Sequence, residues 1–331
     1  MKQNYFDAKL KPFKAINWNR IEDYFDKLTW DKLISQFWVD TRIPVANDIE
    51  QWKELQQYEK ELINKTFAGL TVLDTLQSEG GVGSMANGRL TQHEEAVINN
   101  ISFMESIHAK SYSTIFSTFN TPSEIDDIFS WIETDKNLQY KVQTIQHIYA
   151  TGTELEKRAA SVLLESFLFY SGFYTPLKYL GMAKMVNVAE IIKLIIRDES
   201  VHGTYFGHKF RLGFNKLSQE EQEELKNNIY AMTFDLYNNE VEYTENLYNA
   251  TEWAPLVIKF LEYNANKALD SLGFDPLFST TAADVDPIIM NGISTSTSNH
   301  DFFSQAGNGY LLGNVEPLSD NDYDMIYDMA K

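Results

Sequence analysis

A chain of 331 residues with 44% hydrophobic and 14% aromatic content can bury a large core, as one big domain or two ordinary ones, and one is expected. The formal charge of −19 and pI of about 4.7 oppose nonspecific binding, so neither nucleic acid nor membrane is expected as a partner. With no cysteine, disulfides, thiolate metal sites and thiol nucleophiles are excluded. The N-terminus lacks an apolar signal core and no segment reads as a membrane span, which predicts a cytoplasmic protein.

In chain order, residues 1–17 read as an N-terminal arm in which Pro12 discourages helix, and 18–285 as the helical domain. From Trp18 to Val39 the pattern is short and helical, ending in Gln36-Phe37-Trp38 before the turn at Pro44. By itself Trp38 reads as a core anchor. Asn47-Asp48 is expected to cap the helical run that follows. From Glu59 to Gln77 the pattern grows steadily more apolar and leaves Asp74 among Leu70, Val72, Leu73 and Leu76. An acid there needs compensation, from neighbouring side chains or from a metal. Ser78 to Gly88 reads as a flexible loop, and its glycine spacing does not match a phosphate-binding loop.

Thr91 to Phe119 reads as a long helix on which Glu105, His108 and Tyr112 fall at i, i+3 and i+7. A carboxylate, an imidazole and a phenol thus stack along one stripe. After the stop at Asn120-Thr121-Pro122, Ser123 is expected to cap the next helix. Residues 154–180 read as one long helix, bent near Pro176 and carrying Glu165 in the apolar run Ser161–Tyr170. Residues 186–214 carry Asp198 and a second Glu-x-x-His, Glu199 with His202, at the end of an Ile- and Leu-rich run. Helices over 218–248 and 255–270 complete an all-α pattern with no alternating strand signal.

The Glu-x-x-His spacing alone is weak, since six histidines among 47 acids give about one such pair by chance. The apolar setting of Glu165 and Glu199 counts for more, because a buried carboxylate must be paired or bound to metal. Asp74, Glu105 with His108, Glu165, and Glu199 with His202 then fall on four long helices. That is the layout of ferritin-like di-iron and di-manganese carboxylate proteins, with Asp replacing Glu at one place. Four carboxylates balance two divalent ions, and oxygen and imidazole ligands without sulfur suit iron or manganese. The expected fold is a ferritin-like helical bundle with a dinuclear metal site, extra helices and a flexible C-terminal tail.

Gln36-Phe-Trp38, Gly69-Leu-Thr-Val-Leu-Asp74-Thr, Phe103-Met-Glu105-Ser-Ile-His108-Ala-Lys-Ser-Tyr112, Leu164-Glu165-Ser-Phe-Leu-Phe-Tyr-Ser-Gly-Phe173, Ile196-Arg-Asp198-Glu199-Ser-Val-His202-Gly and Asn299-His-Asp-Phe-Phe-Ser304 together carry a resemblance. Over nearly its whole length the chain resembles the radical-generating small subunit of class Ib ribonucleotide reductase. All six ligand positions are kept, so metal-free variants of that family are not the pattern here. The resemblance implies that Asp74, Glu105 and His108 bind one metal and Glu165, Glu199 and His202 the other, with carboxylates bridging. It implies a stable tyrosyl radical on Tyr112, and a relay in which Trp38 connects through Asp198 to His108. The implied metal is manganese or iron, the implied assembly a homodimer, and the implied partners a large catalytic subunit and a flavodoxin-like activating protein.

Residues 286–331 read from composition as a mobile tail, rich in Gly, Ser, Thr and Asn and acidic at its end. The resemblance adds that this tail docks on the large subunit, with Tyr310 passing the radical between subunits. Tyr323 and Tyr327 have the character of anchors but no assigned role. The rival expectations are a ferritin-like ferroxidase, or an oxidase acting on a hydrophobic small molecule.

Overall fold

The computed structural model describes residues 12–87 and 90–293. Tyr310, Tyr323, Tyr327 and the rest of the expected tail past 293 lie outside the described residues, as do residues 1–11 of the arm. The α-helices are α1 (Tyr24–Ser35), α2 (Ile49–Glu54), α3 (Gln57–Leu76), α4 (Val82–Ser84), α5 (Gln92–Phe119), α6 (Pro122–Thr134), α7 (Lys136–Thr151), α8 (Glu154–Leu163), α9 (Tyr170–Gly181), α10 (Val186–Phe214), α11 (Gln219–Leu247), α12 (Ala254–Leu272) and α13 (Pro287–Ile293), and no strand occurs among the described residues. The all-α expectation holds. None of these helices is long and apolar enough to cross a membrane.

Helix ends follow the capping residues. Thr91 accepts from Glu94 N and Asp135 from Leu138 N, while Thr121, Thr153 and Ser218 form reciprocal boxes with Glu124, Glu156 and Glu221. Each cap is worth about 1 kcal/mol. Thr121, not Ser123, therefore starts α6. Asp48 precedes α2 without capping it. Its carboxylate accepts instead from Val188 N at 2.9 Å and Asn187 Nδ2 at 2.6 Å, and so caps the first turn of α10 from 140 residues away.

Helices α3, α5, α10 and the α8–α9 pair enclose the centre, with α12 packed against α8, α9 and α10. Gly172 brings α9 against α3: a Cβ at this position would fall 2.7 Å from Leu70 Cγ. Two helices carry a wide π turn, Gln77–Gly81 after α3 and Leu164–Leu168 between α8 and α9. The interruption in 154–181 thus comes at Glu165, ahead of Pro176. The segment expected as a flexible loop is helical as far as Asn87, through the π turn, α4 and a 3₁₀ turn at Met85–Asn87. Its Gly81 serves close packing rather than freedom, since a Cβ there would lie 2.5 Å from Gln77 Oε1 and 2.7 Å from Tyr149 Cε2. Past residue 285, Asp286 accepts from Lys178 Nζ at 2.6 Å and α13 packs on α9 with Ile289 buried, so the helical body reaches 293.

Candidate metal centre

The stripe on α5 faces inward. Glu105, His108 and Tyr112 are fully buried, as are Asp74 from α3, Glu165 from the π turn, and Glu199 and His202 from α10. Their side chains converge in two overlapping groups, Asp74–Glu105–His108–Glu199 and Glu105–Glu165–Glu199–His202, with the ligand atoms of each group within 4.8 Å of one another. His108 Nδ1 lies 3.4 Å from Asp74, 3.3 Å from Glu105 and 2.9 Å from Glu199. His202 Nδ1 lies 2.8 Å from Glu105, 3.5 Å from Glu199 and 3.7 Å from Glu165. All six expected ligands therefore meet. Glu105 and Glu199 belong to both groups.

The chemistry of this donor set fits a pair of divalent cations. Both oxygens of Asp74, Glu105 and Glu199, Oε2 of Glu165, and Nδ1 of both histidines are buried without a hydrogen-bond partner. Taking a charge out of water costs several kcal/mol per ion, so four carboxylates in one pocket need a compensating charge. Left to themselves, Asp74, Glu105 and Glu165 titrate abnormally. Burial pushes the Asp74 carboxyl well above its usual range against the pull of His108, with Glu105 and Glu199 adding to the rise. Burial raises Glu165 in the same way, again reinforced by Glu105 and Glu199. Burial also opposes ionisation of Glu105, but His108 and His202 outweigh it and hold that carboxyl down to about 2. Burial disfavours charge on the imidazoles too, yet the facing carboxylates win and raise both.

Outside the ligands lies a layer that sequence reasoning did not single out. Ser161 Oγ donates to Glu165 Oε1 at 2.9 Å, Gln77 Nε2 donates to the same oxygen, and Tyr149 OH donates to Gln77 Oε1 at 2.5 Å. These neutral donors fix one Glu165 oxygen and leave the other aimed at the centre. On the other flank, Asp198 Oδ2 accepts from Trp38 Nε1 at 2.7 Å and lies 3.2 Å from His108 Nε2, while Oδ1 accepts from Gln36 Nε2 at 2.7 Å. In the neutral ring, with Nε2 donating to Asp198, the lone pair of His108 is on Nδ1, facing the carboxylates. Trp38 and His108 stack with centroids 6.1 Å apart. Arg197 also reaches Asp198, at 3.3 Å, so the ion pair and the Trp38–Asp198–His108 link coexist. Tyr112 packs on Phe67 at 5.9 Å, and its hydroxyl has no hydrogen-bond partner. Burial, then the charges of Asp74, Glu199 and Glu105, push its pKa well up, so the ring stays a neutral phenol.

Residues 15–287 match the family described as "Ribonucleotide reductase, small chain". The chain is 48% identical over 311 residues to the ribonucleoside-diphosphate reductase subunit beta nrdF2 of Mycobacterium tuberculosis, covering 94% of this chain and 96% of that one. It is 46% identical over 316 residues to ribonucleoside-diphosphate reductase 2 subunit beta of Escherichia coli, covering 95% and 99%. Among solved structures, the dimanganese(II)-NrdF of Streptococcus sanguinis superposes with a TM-score of 0.84 at 62% identity, covering 86% of this chain and all 100% of that one.

Proposed function

The chain belongs to the ribonucleotide reductase small-chain family, class Ib, and from that premise we propose which residues do its work. It is the radical-generating subunit of ribonucleoside-diphosphate reductase, a dimeric protein that works with a large subunit. In our reading Asp74, Glu105 and His108 would hold one ion and Glu165, Glu199 and His202 the other. When bound, the manganese or iron pair supplies the one-electron oxidising power that side chains alone lack.

The oxidisable group is Tyr112. Because its phenol keeps its proton, oxidation removes an electron and a proton together, and the proton stays within the carboxylate centre whose charges bear on that phenol. Phe67 and the apolar core exclude water and reductants from the ring. Trp38 and Asp198 form the inner end of the relay to the partner. When Trp38 gives up an electron, its Nε1 proton passes along the 2.7 Å bond to Asp198 Oδ2, and charge balance is kept at His108 Nε2. Ribonucleotide reduction through a thiyl radical falls to the large subunit, since this chain has no cysteine. We assign Tyr310 as the exit of the relay, the tail after 293 as the docking segment for the large subunit, a flavodoxin-like protein as activator, and the cytoplasm as the location.

The single observation that carries this reading is the convergence of Glu105 and Glu199 on both histidines next to a buried, unpartnered phenol. The test is electron paramagnetic resonance after metal loading and oxidation. A tyrosyl signal is expected in the unmodified chain and none in Tyr112→Phe; a signal that persists in the variant places the radical on another residue.

A further inference from the structure

Away from Trp38 and Asp198, three oxidisable rings, Tyr248, Tyr174 and Trp253, run from the core to the surface, and Phe67 with two threonine hydroxyls lies between them and Tyr112. Tyr112 stacks on Phe67, and next to Phe67 the Thr66 hydroxyl lies 3.2 Å from that of Thr175, which lies 2.8 Å from the hydroxyl of Tyr248. Tyr248 stands edge-on to Tyr174 at 6.2 Å between centroids, and Tyr174 lies 6.2 Å from Trp253. Tyr248 and Tyr174 are fully buried whereas Trp253 is half-buried, so the string reaches solvent at one end.

Both phenols donate a hydrogen bond, and that of Tyr174 ends on a carboxylate able to take its proton. Tyr248 donates to the Ser171 carbonyl at 2.6 Å, and Tyr174 donates to Asp286 Oδ2 at 3.2 Å. Packing alone is satisfied by phenylalanine, as Phe260 beside Tyr174 demonstrates. A buried phenol bonded to a carboxylate can release its proton as it loses an electron and recover both afterwards. The same pairing of ring and carboxylate occurs at Trp38 and Asp198.

We propose that Tyr248, Tyr174 and Trp253 form a discharge route through which a small one-electron reductant of the enediol class, acting at Trp253, returns the Tyr112 radical to a phenol. This rests on the assignment of the radical to Tyr112. One electron leaves the enediol, which becomes its own radical, and enters at Trp253. It passes inward by Tyr174, which lends its proton to Asp286 and takes it back, and across Tyr248, which keeps its proton in the bond to the Ser171 carbonyl. Tyr112 gains that electron together with the proton lodged in the site when the radical formed, and the intervening rings end unchanged. Free subunit that finds no partner can thereby shed its oxidising equivalent without damage to the ligands.

The test uses the full chain, metal-loaded and oxidised, with the radical signal followed in ascorbate. Trp253→Phe and Tyr174→Phe are each expected to slow its loss about tenfold, with the starting amplitude and the helical circular dichroism unaltered. Equal rates in the parent and both variants overturn the proposal. Peroxide footprinting adds a readout that needs no radical on Tyr112: oxygen addition at Trp253, mapped by mass spectrometry, is expected to fall at least about fivefold in the metal-free chain and in Tyr174→Phe. Labelling that ignores both changes overturns the route. No signal in the parent, with labelling still dependent on metal and on Tyr174, refutes the Tyr112 assignment and upholds the route.

Discussion

Glu165 and Asp198 are both buried acids, yet their surroundings give them opposite tasks. Glu165 is held by neutral donors, Ser161 and Gln77, so its charge is left for the centre. Asp198 is met by donors on both oxygens, so its charge is spent on Trp38, Gln36 and His108. Glu165→Ala is expected to lower bound metal below two ions per chain by elemental analysis, while circular dichroism retains the helical signal. Unchanged stoichiometry would contradict the ligand assignment. Asp198→Asn puts an amide N–H against the Gln36 or Trp38 donor. Turnover with the large subunit is expected to fall about 100-fold or more, whereas the radical amplitude stays near that of the parent. Asp74, Glu165 and Glu199 stood out in the sequence because an acid in an apolar run is a conflict that needs a cause. Gln77, Ser161 and Tyr149 raise no such conflict: uncharged polar residues are ordinary at helical positions, and only the fold shows that they face Glu165.

At the scale of elements, periodicity was enough to place α3, α5, α10, α11 and α12 but not the π turns, because one extra residue in a turn leaves the apolar pattern almost intact. The cap by Asp48 escaped for a different reason, since its partner helix is remote in sequence. Close approach of α3 and α9 depends on Gly172, and Gly172→Ala should destabilise the protein by about 1–3 kcal/mol through overpacking against Leu70. The measurement is the thermal midpoint, expected to drop by several degrees. The junction of α13 with α9 depends on pH. Burial raises the Asp286 carboxyl, but Lys178, the Ile288 N–H and Tyr174 outweigh it and hold its pKa below the ordinary 3.8. A carboxyl depressed in the folded state adds stability above its unfolded pKa and loses it as pH falls through the folded value. Hydrogen exchange of α13 should therefore accelerate on acidification below the ordinary carboxyl range, before that of α5 does; protection that falls equally in both helices would remove Asp286 as the cause.

For the whole molecule, the site sits where helices distant in sequence cross, so metal and fold support each other. Chelation should lower the thermal midpoint, and re-addition of manganese or iron should restore it, since a ligand of the native state alone adds stability. Deleting residues from Tyr310 onward should leave the radical signal intact and abolish turnover with the large subunit. Continued turnover by the shortened chain would refute the docking role of the tail.

The π turn at Leu164–Leu168 has a consequence for how this gene can change. Removing one residue other than Glu165 from that stretch would let the α8–α9 rod wind regularly, with its two flanks still in phase because the wide turn already absorbs the extra residue. Glu165, which the wide turn itself presents, would lose its direction toward the centre. A three-base loss here, sparing every ligand codon, would tidy the helix and still silence the protein.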